Sequence, residues 1–144
     1  MSGVPKTPPV SADCVAVDPH GRVLLIKRGR PPFQGQWALP GGFIELGETV
    51  EDGCRRELLE ETGLTADGVL TLVGVYSAPG RDPRGPTVSV TYTTTLPGGT
   101  PAGGDDAAHA EWIADWQSLP IAFDHKQMIA DALAVQKTQT RVRS

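Results

Sequence analysis

The sequence contains few of the residues that stabilise secreted or membrane-embedded proteins. It has two cysteines in 144 residues, and neither Cys14 nor Cys54 lies in a CxxC or Cys/His pattern, so neither a disulfide framework nor a zinc site is predicted. We expect both cysteines to be buried as small apolar side chains. The sequence shows no apolar run of about eighteen residues and no signal-peptide pattern. It therefore predicts neither a membrane span nor secretion, and we expect a cytoplasmic protein.

Basic residues are also scarce. Thirteen Lys and Arg stand against seventeen Asp and Glu, which gives a net charge of −4. Residues 48–61 contain six acids and two arginines, again a net −4, so the rest of the chain is neutral. Proteins that bind nucleic acid usually carry a basic surface, and we therefore expect no nucleic-acid partner.

The acidic segment has a regular pattern. Glu57, Glu60 and Glu61 are spaced i, i+3 and i+4 in a stretch predicted to be helical, so they fall within an arc of roughly 100° on one face. Like charges at this spacing repel, and a set of oxygen ligands favours a hard divalent cation, Mg²⁺ or Mn²⁺, between them. The alternative is a solvated acidic helix face.

Both ends of this helix are marked in the sequence. Thr49 is a capping residue at the predicted N-terminus, and Gly63 follows the last turn, where a left-handed residue is favoured. Gly53 in the interior costs about 1 kcal/mol relative to alanine. Because it lies one turn before Glu57, its bare backbone leaves room for the preceding loop, a metal or a phosphate.

The wider pattern starts at Gly42, continues through five residues to Glu48 and seven more to Arg56, and ends Arg-Glu-apolar-x-Glu-Glu-x-Gly-apolar. At every constrained position it resembles the signature of the Nudix hydrolases, which cleave a nucleoside diphosphate linked to another group. The resemblance implies a catalytic set made up of Glu48, Arg56, Glu57, Glu60 and Glu61.

The same resemblance, together with the acidic spacing, predicts one to three Mg²⁺ or Mn²⁺ ions. Their ligands would be Glu57, Glu60, Glu61 and a carbonyl of Gly41 or Gly42, where glycine allows close approach of the backbone. Arg56 would hold Glu48 or a neighbouring carboxylate in place. The general base stays open between Glu60, Asp105, Asp106 and Glu111.

Two basic segments are candidates for binding the substrate. Arg28, in the segment from Lys27 to Arg30, precedes Phe33 and the acidic signature at residues 42–64, which we call the box. The stiff, proline-rich stretch 77–86 carries Arg81, Asp82 and Arg84; its arginines could clamp a pyrophosphate and its aspartate could bind a ribose hydroxyl. The alternative for both segments is an ordinary charged surface loop. The candidates for stacking on a base, each of which could instead belong to the core, are Phe33, Tyr76 and Phe123.

The motif YSAPGRDPRGPTVS resembles the ADP-ribose pyrophosphatase branch of the Nudix family, and the Phe123-Asp124-His125 segment agrees with it. This resemblance implies hydrolysis of ADP-ribose to AMP and ribose 5-phosphate, and a possible homodimer. We expect His125, in the first turn of a helix, to be structural.

Two other functions remain open. One is a Nudix hydrolase for another nucleotide, such as a damaged dNTP, NADH or a dinucleoside polyphosphate. The other is a non-catalytic ADP-ribose sensor, since domains that resemble this branch also occur attached to DNA-binding domains. The complete set of box glutamates favours an enzyme, and the few residues after the last predicted helix lead us to expect no DNA-binding domain.

The length and the order of elements predict one α+β domain. Residues 1–9 are predicted to be a flexible arm, 10–136 the Nudix domain and 137–144 a polar, basic tail. A first hairpin, further strands near 69–76 and 87–96, and two helices predict an α/β/α sandwich with a mixed β-sheet. The Nudix resemblance implies the same fold.

Overall fold

The fold was analysed in a computed structural model that describes residues 3–104 and 107–143, with side chains through Gln139. In chain order the elements are β1 (Val10–Val17), β2 (Val23–Arg28), β3 (Trp37–Ala38), β4 (Gly41–Phe43), α1 (Val50–Thr62), β5 (Thr71–Tyr76), β6 (Val88–Thr95), β7 (Ala107–Ile113), a 3₁₀ helix (Trp116–Ser118) and α2 (His125–Arg143).

Strand β1 is the centre of the sheet. It runs parallel to β6 from Val10↔Val88 to Val17↔Thr95. On its other edge it pairs antiparallel with β2 at Val17↔Val23 and with β4 at Ser11↔Phe43. Strand β2 then diverges from β1 and pairs with β3 and β7. The predicted hairpin and mixed sheet are therefore confirmed.

The two helices cover opposite faces of this sheet. Successive side chains of a strand point to opposite faces, so Cys14 packs with Leu58 of α1 in one core cluster while Val15 packs with Met128 of α2 in another. Both cysteines are buried, as expected. A fully buried Leu58 contributes about 1.5–3 kcal/mol of hydrophobic free energy. The arrangement confirms the predicted α/β/α sandwich.

Helix α1 begins and ends where the sequence predicts. The Thr49 hydroxyl accepts a hydrogen bond from Asp52 N at 3.1 Å, and Gly63 adopts φ 74°. A Cβ added at Gly53 would lie 2.5 Å from Ile44 Cδ1 and 2.8 Å from a Glu48 carboxylate oxygen. Of the three predicted uses of this bare backbone, the structure therefore shows close packing of the preceding loop.

Strand β6 has the predicted position but an unexpected burial pattern. Its valines are only partly buried, whereas Ser89, Thr91 and Thr93 are almost fully buried on the α2 side. Each hydroxyl donates to a partner: Ser89 to Asp13, Thr91 to the Met128 sulfur and Thr93 to the Val15 carbonyl. Hydrogen bonding removes most of the cost of burying a hydroxyl.

The chain ends differ from the prediction at one point. Residues 3–9 have no regular secondary structure and are exposed. Helix α2, however, continues to Arg143, so 137–143 extends the helix where a separate tail was predicted. Those residues include no glycine or proline that would end a helix. No helix in the described parts of the chain is long and apolar enough to cross a membrane.

Candidate active site

A cavity of about 510 Å³ opens between α1 and the loop 77–87 that joins β5 to β6. One wall is acidic and comes from the box. The opposite wall is cationic and aromatic. We call these the acidic wall (Gly41, Gly42, Glu57, Glu60 and Glu61) and the cationic wall (Arg28, Arg81, Asp82, Arg84 and Phe123).

Arg56 is the centre of the hydrogen-bond network behind the acidic wall. Its Nε and Nη2 donate to the two carboxylate oxygens of Glu48, each at 2.9 Å. Its Nη1 donates to Glu57 at 3.0 Å and to Glu60 at 3.1 Å, and Nη2 also reaches the Phe43 carbonyl. The Arg56 hydrogen bonds lower the pKa of Glu48 to about 2. The network places Arg56 against Glu48, as predicted, and fixes the orientation of the carboxylates around it.

Glu61 is the buried member of the acidic wall. Burial, followed by its hydrogen bond with Glu57, raises the pKa of Glu61 to about 9. The Gly41 N–H donates to Glu61 at 3.1 Å. A Cβ added at Gly42 would lie 2.6 Å from the Glu57 carboxyl carbon, so only glycine lets the backbone lie so close to this pair.

The donor chemistry of the acidic wall fits a hard divalent cation. Carboxylate and backbone carbonyl oxygens are ligands that Mg²⁺ and Mn²⁺ prefer. Within the described ranges no three acidic, His or Cys groups already converge as a metal cage. The reason is visible in the hydrogen bonds: Arg56 holds Glu57 and Glu60, while Glu61 is held by Gly41.

The candidates for the general base differ in position. Glu60 lines the cavity. Glu111 lies on β7, where its exposed carboxylate is 3.0 Å from His109 and does not line the cavity. Asp105 and Asp106 lie outside the described residues, although a Cβ on the preceding Gly104 would be 2.5 Å from the Glu60 carbonyl. Of the described candidates, Glu60 is therefore the one placed at the site.

Arg81 is held by the protein and is not open to solvent. Its Nε and Nη2 donate to the two carboxylate oxygens of Asp124 at 2.9 and 2.7 Å, and Nη1 donates to the Thr87 hydroxyl at 2.7 Å. Three of its five N–H donors are thus used within the chain, and its side chain is 6% exposed. Arg81 was predicted to clamp a pyrophosphate, and any contact with a substrate would have to coexist with these hydrogen bonds to Asp124 and Thr87.

Arg84 is the more accessible arginine of the loop. It pairs with the buried Asp82, which accepts from the Arg84 backbone N, Nε and Nη2 at 2.8–3.1 Å. Its guanidinium carbon lies 5.4 Å from the Phe43 ring centre and 5.8 Å from that of Phe123. Asp82, predicted to bind a ribose hydroxyl, therefore holds Arg84 in the structure.

The aromatic candidates separate clearly. Phe123 lines the cavity, with the Arg28 guanidinium 5.1 Å above its ring. Phe33 packs edge-on against Phe123 at 4.9 Å within an apolar cluster and is not part of the cavity lining. The Tyr76 hydroxyl donates to Asp131 at 2.6 Å, also away from the cavity. Phe123 is thus the candidate that faces the site.

The structure also brings in buried residues that the sequence analysis did not select. Asp13 on β1 accepts a hydrogen bond from Ser89 and lies 3.7 Å from His125 Nε2. His125 Nδ1 accepts from Leu39 N–H at 3.0 Å, and burial lowers the pKa of the imidazole. A lone acid inside an apolar strand is rarely buried without a purpose, and that signal could have drawn attention to Asp13.

Comparison with known proteins gives two kinds of match in sequence. A family model described as NUDIX domain matches residues 7–133. The chain is 48% identical over 125 residues to an ADP-ribose pyrophosphatase of Methanocaldococcus jannaschii, covering 86% of this chain and 72% of that protein. It is also 33% identical to the ADPR responsive transcriptional repressor NtrR of Acinetobacter baylyi, covering 83% of this chain but half of the repressor.

Solved structures agree with these matches. The NUDIX domain of Shewanella oneidensis NrtR, complexed with ADP ribose, superposes with a TM-score of 0.84 at 31% identity, covering 91% of this chain and 90% of that one. A bifunctional NMN adenylyltransferase/ADP ribose pyrophosphatase of Francisella tularensis, complexed with AMP and a manganese ion, gives a TM-score of 0.78 at 29% identity, covering 90% of this chain and 42% of that one.

Proposed function

The chain belongs to the Nudix family and is a Nudix pyrophosphohydrolase, and from this premise we propose that it hydrolyses ADP-ribose to AMP and ribose 5-phosphate with Mg²⁺ or Mn²⁺. The observation that carries the proposal is the 48% identity to an ADP-ribose pyrophosphatase over most of both chains. The division of the cavity into an acidic and a cationic wall supports it, because a substrate with a pyrophosphate at its centre needs both.

In this proposal the acidic wall holds the metal. Its ligands would be Glu57, Glu60, Glu61 and the Gly42 carbonyl, and the bound cation would neutralise phosphate oxygens and make a water nucleophilic near pH 7. Arg56 keeps three box carboxylates in place through its hydrogen bonds to Glu48, Glu57 and Glu60. Glu60 is the candidate that would accept the proton of the attacking water, because it lines the cavity.

The cationic wall would hold the substrate. Arg84 and Arg28 flank the Phe123 ring, an arrangement suited to a phosphate oxygen together with a flat base or a ribose. Asp82 orients Arg84, and Arg81 ties the loop to the start of α2. The predicted binding residues therefore divide into groups that would contact substrate and groups that hold them in position.

The direct test is a substrate panel assayed with Mg²⁺ and with Mn²⁺. ADP-ribose, 8-oxo-dGTP, NADH and a dinucleoside tetraphosphate are compared by kcat/KM, with AMP and ribose 5-phosphate identified as products. We expect ADP-ribose to exceed each of the others by at least about tenfold, a difference of about 1.4 kcal/mol in transition-state binding. Equal values for ADP-ribose and 8-oxo-dGTP would reject the proposed specificity.

One relative is named as an ADPR responsive transcriptional repressor, and one similar solved structure holds ADP ribose; both support a second candidate, an ADP-ribose sensor. A sensor would bind ADP-ribose without turning it over. Calorimetry with ADP-ribose in EDTA, followed by addition of Mg²⁺, separates the two functions. Persistent binding with no AMP formed after the metal is added would favour the sensor.

A further inference from the structure

Three consecutive residues at the start of α2 each contact a different part of the cavity. The Phe123 ring belongs to the cationic wall. The Asp124 carboxylate binds Arg81 of the loop 77–87. His125 instead accepts a hydrogen bond from Leu39 N–H, in the segment between β3 and β4 that leads into the acidic wall. Phe123 adopts φ 55°, a left-handed conformation that is uncommon for a residue with a side chain, and strained backbone of this kind is concentrated at functional sites.

His125 is connected to the acidic wall through one short stretch of backbone. Its Nδ1 accepts from Leu39 N–H at 3.0 Å. Two residues further along, Gly41 N–H donates to Glu61 at 3.1 Å. The Pro40 carbonyl between them accepts from Cys14 N at 2.9 Å. The N–H that His125 accepts from and the N–H that orients the buried Glu61 are therefore two residues apart on one stretch of backbone.

The geometry requires a particular kind of side chain at position 125. Leu39 N–H is buried, so losing its acceptor would leave a buried donor unsatisfied. An imidazole whose Nδ1 accepts must carry its proton on Nε2 when neutral, and Nε2 lies 3.7 Å from Asp13 Oδ1. Asp13 is itself bonded to Ser89. The histidine is thus held by a hydrogen bond on its Nδ1 side, while its Nε2 faces Asp13.

We infer that His125 is a positioning residue for the acidic wall: by accepting from Leu39 N–H it fixes residues 39–42, and thereby sets the position of Glu61 and of the Gly42 carbonyl for binding a divalent cation. The inference deepens the proposed function, because it rests on the metal-binding role proposed there for the acidic wall. It does not depend on which nucleotide is the substrate.

Two substitutions separate this role from simple packing. In His125→Asn the side-chain oxygen lies near the position of Nδ1, so an acceptor for Leu39 N–H is retained. In His125→Gln the longer side chain reaches the position of Nε2, so the group facing Asp13 is retained and the acceptor is lost. Mn²⁺ is titrated into the wild type and both variants by calorimetry, without nucleotide, and each unfolding midpoint in urea is measured in EDTA.

We expect His125→Gln to weaken Mn²⁺ binding by about tenfold or more, the usual effect of removing a group that orients metal ligands, and His125→Asn to stay within about threefold of wild type, less than the tenfold change that 1.4 kcal/mol represents. Wild-type affinity in His125→Gln would overturn the inference. So would an equal loss in both variants, or a wild type that binds no Mn²⁺. If His125→Gln does not fold, replacing the Leu39 amide by an ester removes the same donor and must give the same loss.

The substrate panel tests the proposed function separately from this inference. If the wild type does not hydrolyse ADP-ribose but Mn²⁺ binding responds as expected in the two variants, the substrate assignment fails and the positioning role of His125 stands. If ADP-ribose is hydrolysed and His125→Gln binds Mn²⁺ like wild type, the inference fails and the proposed function stands.

Discussion

The two walls of the cavity are built in different ways. The acidic wall comes largely from one turn of α1, where helix geometry places Glu57, Glu60 and Glu61 and where Arg56 of the same helix holds Glu57 and Glu60. The cationic wall is assembled from β2, the loop 77–87 and the start of α2, which are far apart in sequence. The acidic wall is therefore a local structure in which like charges lie close together. The cationic wall depends on tertiary contacts, which fix its geometry.

The largest effect is expected at the acidic wall. Glu57→Gln and Glu61→Gln each remove a negative charge where the cation is proposed to bind while preserving side-chain size. We expect each to lower kcat by at least about a hundredfold, with a smaller change in KM. Steady-state kinetics with ADP-ribose at saturating Mg²⁺ measure both constants.

Glu51→Gln is the matched control, because Glu51 is an exposed residue in the first turn of the same helix and does not line the cavity. It should retain activity within about twofold, a change of less than about 0.5 kcal/mol. Near wild-type kcat in Glu57→Gln or in Glu61→Gln would mean that the metal is held elsewhere. The acidic wall would then differ from the cationic wall in its construction but not as a metal site.

The same contrast explains what the sequence could predict. The acidic wall was predictable because its carboxylates, the Thr49 cap and Gly63 lie within about four helical turns, where spacing alone determines geometry. The partner of Arg81 was not predictable, since Asp124 lies 43 residues away.

Strand β6 shows a similar limit on what the sequence could predict about the fold. Alternation predicted a strand correctly, but alternation does not state which face is inside. Ser89 and Thr93 are buried because hydrogen-bond partners exist on β1, at Asp13 and at the Val15 carbonyl. Those partners become adjacent only through the parallel pairing of β1 with β6, a contact between residues more than 70 positions apart.

An intermediate effect is expected at the cationic wall. Arg84→Ala removes the guanidinium that lies over Phe43 and Phe123. We expect KM for ADP-ribose to rise by about tenfold with kcat changed by less than about threefold, the pattern for loss of binding shared by the ground state and the transition state. The free energy of unfolding should fall by about 1–3 kcal/mol, because the buried Asp82 carboxylate loses the Nε and Nη2 donors of Arg84.

Arg81→Ala should raise the same KM more than it changes kcat, but by a different route. It leaves the partly buried Asp124 carboxylate and the Thr87 hydroxyl without their donor, so the free energy of unfolding should fall as well, by about 1–3 kcal/mol. Arg22→Ala, which removes the half-exposed partner of the buried Asp18 carboxylate at a position that does not line the cavity, is the control for loss of an arginine. An unchanged KM in Arg81→Ala would mean that Arg81 stabilises the loop and does not affect substrate binding.

The last expected effect leaves catalysis aside: it concerns protons at the acidic wall and needs no substrate. Without metal the pKa of Glu61 is raised from 4.5 to about 9 by burial and by Glu57, so the folded state keeps a proton that the unfolded state releases above pH 4.5. Stability contributed by this proton is present at low pH and is lost as pH rises towards 9. The free energy of unfolding in EDTA should therefore fall across this range, by at most about 1.4 kcal/mol per pH unit.

Glu61→Gln cannot titrate and should show a flatter profile in urea unfolding at pH 5, 6, 7 and 8, whereas Glu51→Gln should follow wild type. Identical slopes in wild type and Glu61→Gln would show that Glu61 does not hold a proton across this pH range, and that the acidic wall does not confine charge as its contrast with the cationic wall requires.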